Sequence, residues 1–434
     1  MKIVHIVPGS GGTFYCQNCL RDGALVRALR RLGHDVIMAP LYLPLFTDDP
    51  NLTQGAPVFF GGINVYLQEH FPVFRKTPRW IDRFFDAKWL LKRAAAQEGS
   101  TSAAELGPMT LSMLRGREGR QCKEIERLTA WLAEHERPEV VHLSNALLAG
   151  LAKPIKDALG VPVVCSLQDE DTWIDAMDQK HAEACWKAIA DNGASIDLFT
   201  PVSQWYSDSM VRRMGLPPEK MRVVPLGIEL DAVSTVSPAG GPPVLGFLSR
   251  LAASEGLGLL VDAFIALKQK PEWKALRLRA TGGVTPSNEA YVREQQAKLA
   301  RHGLESEADF LADFSGDARR AFLCSLTVLS VPAPQGEAFG AFIVEALAHG
   351  VPVVQPRVGG FPETVEATGG GLLYDPAEPG ALERTLEELL RDPERARTLG
   401  ENGRRVVTER YGIQHMAKNM LDAYATLRGG NGGV

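Results

Sequence analysis

The chain has 434 residues, of which 45% are hydrophobic and 23% charged, and a formal net charge of −5 with a pI near 6.0. That composition is ordinary for globular proteins and long enough for two domains with separate cores, which excludes disordered and fibrous classes. The acidic balance argues against nucleic-acid binding and against membrane attachment by bulk charge, leaving only a local basic patch as a route to peripheral membrane contact.

The opening run Met-Lys-Ile-Val-His-Ile-Val-Pro is too short for a signal peptide and reads as a buried first strand over Ile3–Val7. No stretch approaches the length of a membrane span. Cys16, Cys19, Cys122, Cys165, Cys185 and Cys324 are scattered without a disulfide-framework spacing, so the expected compartment is the reducing cytoplasm. Strand signals then alternate with helical ones, the pattern of a doubly wound α/β architecture. Gly9-Ser10-Gly11-Gly12 makes a tight turn before an amphipathic helix over Leu20–Leu32, and Asp35–Ala39 gives the second strand. A glycine turn between a first strand and helix is the usual place for a ligand loop, although this one lacks the dinucleotide spacing. Cys16 and Cys19 fall at the helix start, where a thiol pKa drops. With no second Cys/His pair at zinc spacing, they read as small residues near a tight turn, and no metal is expected.

Residues 41–125 hold long connections and an aromatic, basic segment with Trp80, Phe84, Phe85, Trp89, Lys92 and Arg93. Packing is the first reading of those aromatics, and a partner or membrane-surface helix the second. Strands are expected over Glu139–Leu143, Pro162–Ser166, Asp197–Ser203 and Met221–Leu226, with Pro154–Leu159 helical. The acidic run Gln168-Asp169-Glu170-Asp171 follows a parallel strand, where open α/β sheets bind ligands, which makes Asp169 a candidate ligand contact. Ser234–Pro243, rich in Pro, Gly and Ser, is the clearest linker. It separates an N-terminal domain (1–233) from a C-terminal one (244–411), and a return helix within 412–428 belongs to the first. The second domain opens with a strand over Val244–Leu248 and continues with strands over Leu276–Thr281, Leu326–Val331 and Gly371–Tyr374 and helices over Glu378–Leu390 and Gln414–Leu427.

The most informative stretch is 335–363. A loop with Glu337 runs into Phe339-Gly340, where a helix starts that ends at Gly350 with Pro352 just beyond. Ala341, Phe342, Ile343, Val344, Ala346, Leu347 and Ala348 make it apolar on every side, hence buried, with Glu345 as the exception. A buried carboxylate needs a partner: a basic residue distant in sequence, or something bound. Glycine at a helix start lets a ligand approach N–H groups that have no intrahelical partner, and the dipole there favours an anion. A diphosphate flanked by two polyhydroxyl groups, each facing one carboxylate, fits that description, as in a nucleotide sugar.

Glu337-x7-Glu345 within Glu-Ala-Phe-Gly, followed by His-Gly-Val-Pro-Val-Val and Val-Gly-Gly-Phe-Pro-Glu, resembles the donor site of retaining glycosyltransferases of the GT-B fold, family 4 (group 1). That resemblance implies two Rossmann-like domains facing across a cleft and a nucleotide-diphosphate donor, linked to UDP or GDP. It implies that Glu345 holds the ribose, Glu337 orients the transferred sugar, and Phe339, Gly340 and Ala341 receive the diphosphate. In the family the Gly11-Gly12 loop faces the cleft. Ser203 matches a common serine, and Gly227-Ile228-Glu229 the usual ending of the first domain. Gln168 stands where a His is frequent, so a role for that imidazole does not carry over. The family's Gly-Arg-Leu, three residues, Lys-Gly reads here Ser249-Arg250-Leu251 through Glu255-Gly256. Arg250 matches, but Glu255 inverts a charge where a dianionic leaving group forms. Glu255 then either turns outward, is offset by another cation, or meets an unusual donor; the outward rotamer is the expectation. No cofactor beyond the donor is implied, and the acceptor is a small molecule, lipid or glycan. The rival readings are a non-catalytic relative that binds a nucleotide, sugar or protein, supported by Glu255 and Gln168, and a dinucleotide oxidoreductase, for which no Gly-x-Gly-x-x-Gly follows the first strand.

Overall fold

A computed structural model describes residues 1–8, 17–41, 103–230 and 241–428. Gly11, Gly12, Cys16, the aromatic segment around Trp80–Arg93 and most of the expected linker lie outside them. The chain forms two compact units. Among the described residues, 1–8, 18–41, 103–225 and 416–428 belong to the first, and the second is built on 226–230 and 241–415.

The first unit holds β1 (Lys2–Val7), α1 (Gln17–Arg31), β2 (Asp35–Pro40), β3 (Val140–Leu143), β4 (Val163–Leu167), α2 (Glu170–Ile174), β5 (Leu198–Pro201) and α3 (Gln204–Met214). Its five strands are parallel and lie in the order β2-β1-β3-β4-β5. They read as near-continuous apolar runs because both faces of a parallel sheet are covered. Ile3 pairs with Val36 on one side and Val140 on the other, and Val163 and Val164 extend the same buried layer. The order reverses between β1 and β3, so the connections after those strands leave toward opposite faces. Expected and observed strands differ at two places. Asp197–Ser203 shortens to Leu198–Pro201, because Ser203 leaves the sheet to cap α3. Met221–Leu226 runs extended beside β5, with Arg222 N donating to Phe199 O and Val224 N to Pro201 O, but yields only a bridge at Met221. Pro201 has no N–H to return a bond.

The second unit contains β6 (Val244–Leu248), α4 (Leu257–Lys268), β7 (Arg277–Thr281), β8 (Ala308–Leu311), α5 (Gly316–Cys324), β9 (Val328–Leu329), α6 (Ala341–Ala348), β10 (Val353–Pro356), α7 (Phe361–Thr368), β11 (Gly371–Tyr374) and α8 (Pro393–Arg410). All six strands are parallel, ordered β11-β10-β9-β6-β7-β8. The order reverses between β6 and β9, and ligands of open α/β sheets bind outside the strand ends at such a point. The expected strand over Leu326–Val331 is only two residues long, because Leu326 N still bonds back to Leu323 O and Ala333 N turns onto Val331 O. The last helix, α9 (Ile413–Arg428), groups with the first unit from Met416 onward. There the buried Tyr424 hydroxyl lies 2.6 Å from His142 Nδ1 on β3. Among the described residues no helix is long and apolar enough to cross a membrane.

Candidate functional site

In the second unit the connections after β6 and β9 flank the reversal of strand order. The β9 connection delivers Glu337 and then Phe339-Gly340 to the start of α6, whose seven apolar residues are all buried. Gly340 sits at φ +81°, a left-handed conformation that an L side chain rarely adopts, and a Cβ there would meet the Phe361 ring at 2.8 Å. The Glu337 loop is fixed by a second pair of glycines. Gly360 N donates to Glu337 O at 2.8 Å, and a Cβ on Gly360 would fall 2.3 Å from Ala338 O. The two glycines of Val-Gly-Gly-Phe-Pro-Glu therefore let one backbone lie directly on another, and Phe361 packs edge-on against Phe342 beneath.

Glu345 projects from α6 and is 13% exposed; Arg319 of α5 supplies the distant cation, its Nε 2.9 Å from Glu345 Oε2. His349 Nδ1 donates to Glu345 O at 2.9 Å, and burial lowers the pKa of this imidazole. With Nδ1 carrying the proton, the neutral ring presents Nε2 as an acceptor.

The connection after β6 gives the clearest departure from expectation. Glu255 does not turn outward. Its Oε1 accepts from Arg250 Nη2 at 2.8 Å and from Ser254 Oγ at 3.0 Å, while Ser249 Oγ lies 3.4 Å from Oε2. Glu255 is 12% exposed and Arg250 31%. The cation expected to meet a diphosphate is neutralised by a carboxylate five residues on, because the turn into α4 brings both side chains to the same side.

In the first unit the ends of β3 and β4 carry a buried polar cluster that no pattern in the sequence singled out. Ser144 Oγ donates to Asp22 Oδ2 at 2.6 Å, and Arg21 Nη2 donates to Asp22 Oδ1 at 2.6 Å and to Ser144 O at 3.2 Å. Burial alone would raise the Asp22 carboxyl; the Arg21 guanidinium and then His5, whose Nε2 lies 3.2 Å away, overcome it and hold it well below the usual range. Gln168 Nε2 donates to the same Ser144 O at 3.2 Å, and its buried Oε1 has no hydrogen-bond partner among the described residues. Asp169 follows at φ +56°, a conformation few non-glycine residues adopt. Ser203 accepts from Tyr206 N at 3.1 Å, so its hydroxyl serves as the cap of α3. Thus Arg250, Ser249 and Glu255 cluster in one loop, Glu337, Phe339 and Gly340 in another that leads into Ala341 and Glu345 of α6, and Gln168, Asp169 and Ser203 around the β4 and β5 ends.

Gln17 occupies the start of α6, its Oε1 accepting from Ala341 N at 2.7 Å and its Nε2 donating to Glu337 Oε2 at 2.8 Å. Two parallel units of six and five strands, with a glycine-opened helix start at the strand reversal, define the architecture of GT-B glycosyltransferases. The family model "Glycosyl transferases group 1" matches residues 234–406 and "Glycosyl transferase 4-like domain" matches 23–227. The chain belongs to the group 1 glycosyltransferases, enzymes that use nucleotide-sugar donors. It is 24% identical over 370 residues to the D-inositol 3-phosphate glycosyltransferase of Corynebacterium diphtheriae, covering 78% of this chain and 84% of that protein. Sucrose-phosphate synthase from Thermosynechococcus elongatus superposes with a TM-score of 0.72 at 20% identity, over 99% of this chain and 100% of that one. Anabaena HepE in complex with UDP-glucose gives 0.67 at 17% identity, over 98% and 100%.

Proposed function

We propose that the chain moves a hexosyl unit from a UDP- or GDP-linked sugar to a small-molecule, lipid or glycan acceptor, with retention of anomeric configuration and without a metal, in the cytoplasm. The observation that supports this best is the start of α6: a helix N-terminus at the strand reversal, opened by Gly340 and flanked by Glu337 and Glu345. Passage through an oxocarbenium-like state makes the departing diphosphate the main charge to be stabilised. The N–H groups at Phe339–Ala341 and the Arg250 guanidinium supply that potential, the Ala341 N–H exchanging its 2.7 Å bond to Gln17 Oε1 for a phosphate oxygen. Glu345 accepts from the ribose hydroxyls; two carboxylate oxygens offer about four acceptor sites, so pairing with Arg319 does not exhaust them. Glu337 orients the transferred sugar, and the leaving phosphate takes the acceptor's proton, so no side-chain base is required. Family resemblance assigns Gly11 and Gly12 to the donor and Gln168 and Asp169 to the acceptor, while Ser203 keeps its role as the cap of α3.

One observation favours a second reading, a relative that binds nucleotide without transferring sugar: Arg250 is already paired with Glu255. The two are separated by incubating the chain with UDP-glucose and GDP-mannose, in EDTA, against a panel of polyol, polyol-phosphate and lipid acceptors. The expected product carries the donor's own anomeric configuration by NMR. An inverted product, or loss of turnover in EDTA, refutes the mechanism. UDP that raises the melting temperature while no donor is consumed selects the second reading.

A further inference from the structure

Three strand-to-helix connections of the first unit converge on one carboxylate that the transfer mechanism does not use. Glu170 Oε1 accepts from Ala146 N at 2.9 Å, just after β3, and Oε2 accepts from Gln168 N at 2.8 Å, at the end of β4. The Tyr206 hydroxyl, from α3 after β5, lies 2.8 Å from the same Oε2 and 2.9 Å from Asp171 Oδ1, and accepts from Glu170 N at 2.9 Å. Glu170 is 1% exposed. A phenol has a single proton, so Tyr206 donates to Glu170 or to Asp171 but not to both. Protonated Glu170 resolves the conflict: its O–H donates to the tyrosine oxygen, and Tyr206 then serves Asp171. The same protonation weakens the bond from Gln168 N, since a neutral carboxyl oxygen is a poorer acceptor than an ionised one.

What this carboxylate holds is the backbone that precedes Asp169 at φ +56° and that aims the buried, unpartnered Gln168 Oε1. A strained residue persists only where its surroundings over-determine it. We propose that Glu170 is a positioning residue of the acceptor side, whose ionised carboxylate ties the ends of β3 and β4 together and so sets the placement of Gln168 and Asp169. The proposal rests on the transferase reading for what is placed, but not for the tie itself. Burial pushes the Glu170 carboxyl up to about 7, against the opposing bonds from Ala146 and Tyr206 and with help from the Asp171 charge. Tyr206 on α3 and Cys165 on β4 are both raised well above their ordinary values by burial. Asp169 precedes it on the chain, and beyond Ser144 lies the Arg21–Asp22 pair of α1.

The test uses the full chain, selectively labelled with ¹⁵N-alanine and ¹⁵N-glutamine, and needs no substrate. The Ala146 and Gln168 amide resonances are expected to titrate together with a midpoint near 7 in the wild type, and not in Glu170→Gln. Tyr206→Phe, which removes one donor to the ionised form, is expected to move the midpoint upward and keeps the idea testable if Glu170→Gln fails to fold. Whichever of UDP-glucose or GDP-mannose the wild type consumes, its rate should follow the same midpoint, and Glu170→Gln should show a lower, pH-independent rate. Amides that do not titrate, or that titrate equally in Glu170→Gln, overturn the proposal. Titrating amides in a chain that consumes neither donor would leave the tie standing and remove the transferase reading instead. A rate profile unaffected by Glu170→Gln would reduce Glu170 to a structural role.

Discussion

Replacing Glu255 by Gln should strengthen nucleoside diphosphate binding, because the carboxylate opposes the anion that Arg250 is placed to meet. A phosphate taking up the Arg250 guanidinium would sit roughly 6 Å from the Glu255 carboxylate, and at an effective dielectric of about 20 two unit charges at that distance repel by about 3 kcal/mol. Solvent reaches 31% of the Arg250 side chain, so screening leaves about half of that, close to ten-fold in Kd. Glu255→Lys changes the charge by two units and should give about a hundred-fold. Calorimetric titration with UDP and with GDP, at low and high salt, measures both variants against the wild type, and the gain should shrink as salt rises. A folded Glu255→Gln that binds UDP no tighter would refute the electrostatic argument, and one that binds it more weakly would show that Glu255 contacts the donor directly.

Glu345→Ala should weaken UDP binding by roughly 1.5–3 kcal/mol, a charge-assisted hydrogen bond, with the fold retained by circular dichroism; unchanged affinity would remove Glu345 from the ribose site. Gly360→Ala places a Cβ 2.3 Å from Ala338 O, which should cost about 1–3 kcal/mol in denaturant titration and lower UDP affinity as Glu337 shifts; an unaltered midpoint would mean that the two loops yield freely. Tyr424→Phe leaves buried His142 Nδ1 without its partner at 2.6 Å and should cost about 1–3 kcal/mol, so a loss below about 0.5 kcal/mol would contradict the anchoring role. Stability should also depend on Glu170. Its folded carboxyl is raised by burial from the ordinary 4.5 to about 7, so ionisation penalises the folded state. Relative to Glu170→Gln, the wild type should lose about 3 kcal/mol as pH rises through that window and nothing further above it, and a flat difference in melting temperature would refute this.

The layered fold and the donor loop were legible because they rest on local rules: apolar strands, glycine punctuation, a helix apolar on every side except at Glu345. Helix and strand positions came out within a few residues wherever the pattern was strong, as at Val244–Leu248 and Gly371–Tyr374. What stayed hidden depends on pairs distant in sequence or on rotamers. Nothing in the neighbourhood of Glu345 indicates Arg319, 26 residues earlier, as its partner. Glu255 could be flagged as out of place from its charge alone, but its turn onto Arg250 is set by the bend into α4. Glu170 looked like one acid among three in a loop, and its burial follows only from Ala146, Gln168 and Tyr206 converging on it. Ser203 reads as a site residue by its position, yet the start of α3 uses its hydroxyl.

The contact between Tyr424 and His142 has a consequence for how the chain is made. His142 leaves the ribosome roughly 280 residues before the tyrosine that satisfies it, an interval of about 14–56 s at bacterial rates of about 5–20 residues per second. The second unit is nearly contiguous in sequence, so its six strands are complete before the last helix of the first unit emerges. The nascent N-terminal sheet must wait, with Ser166 on His142 Nε2 but Nδ1 unmatched, while a later-made unit closes first. A fragment ending at residue 225 would lack that helix permanently, and such a fragment should depend on chaperones or on a supplied 416–428 peptide to reach the native packing.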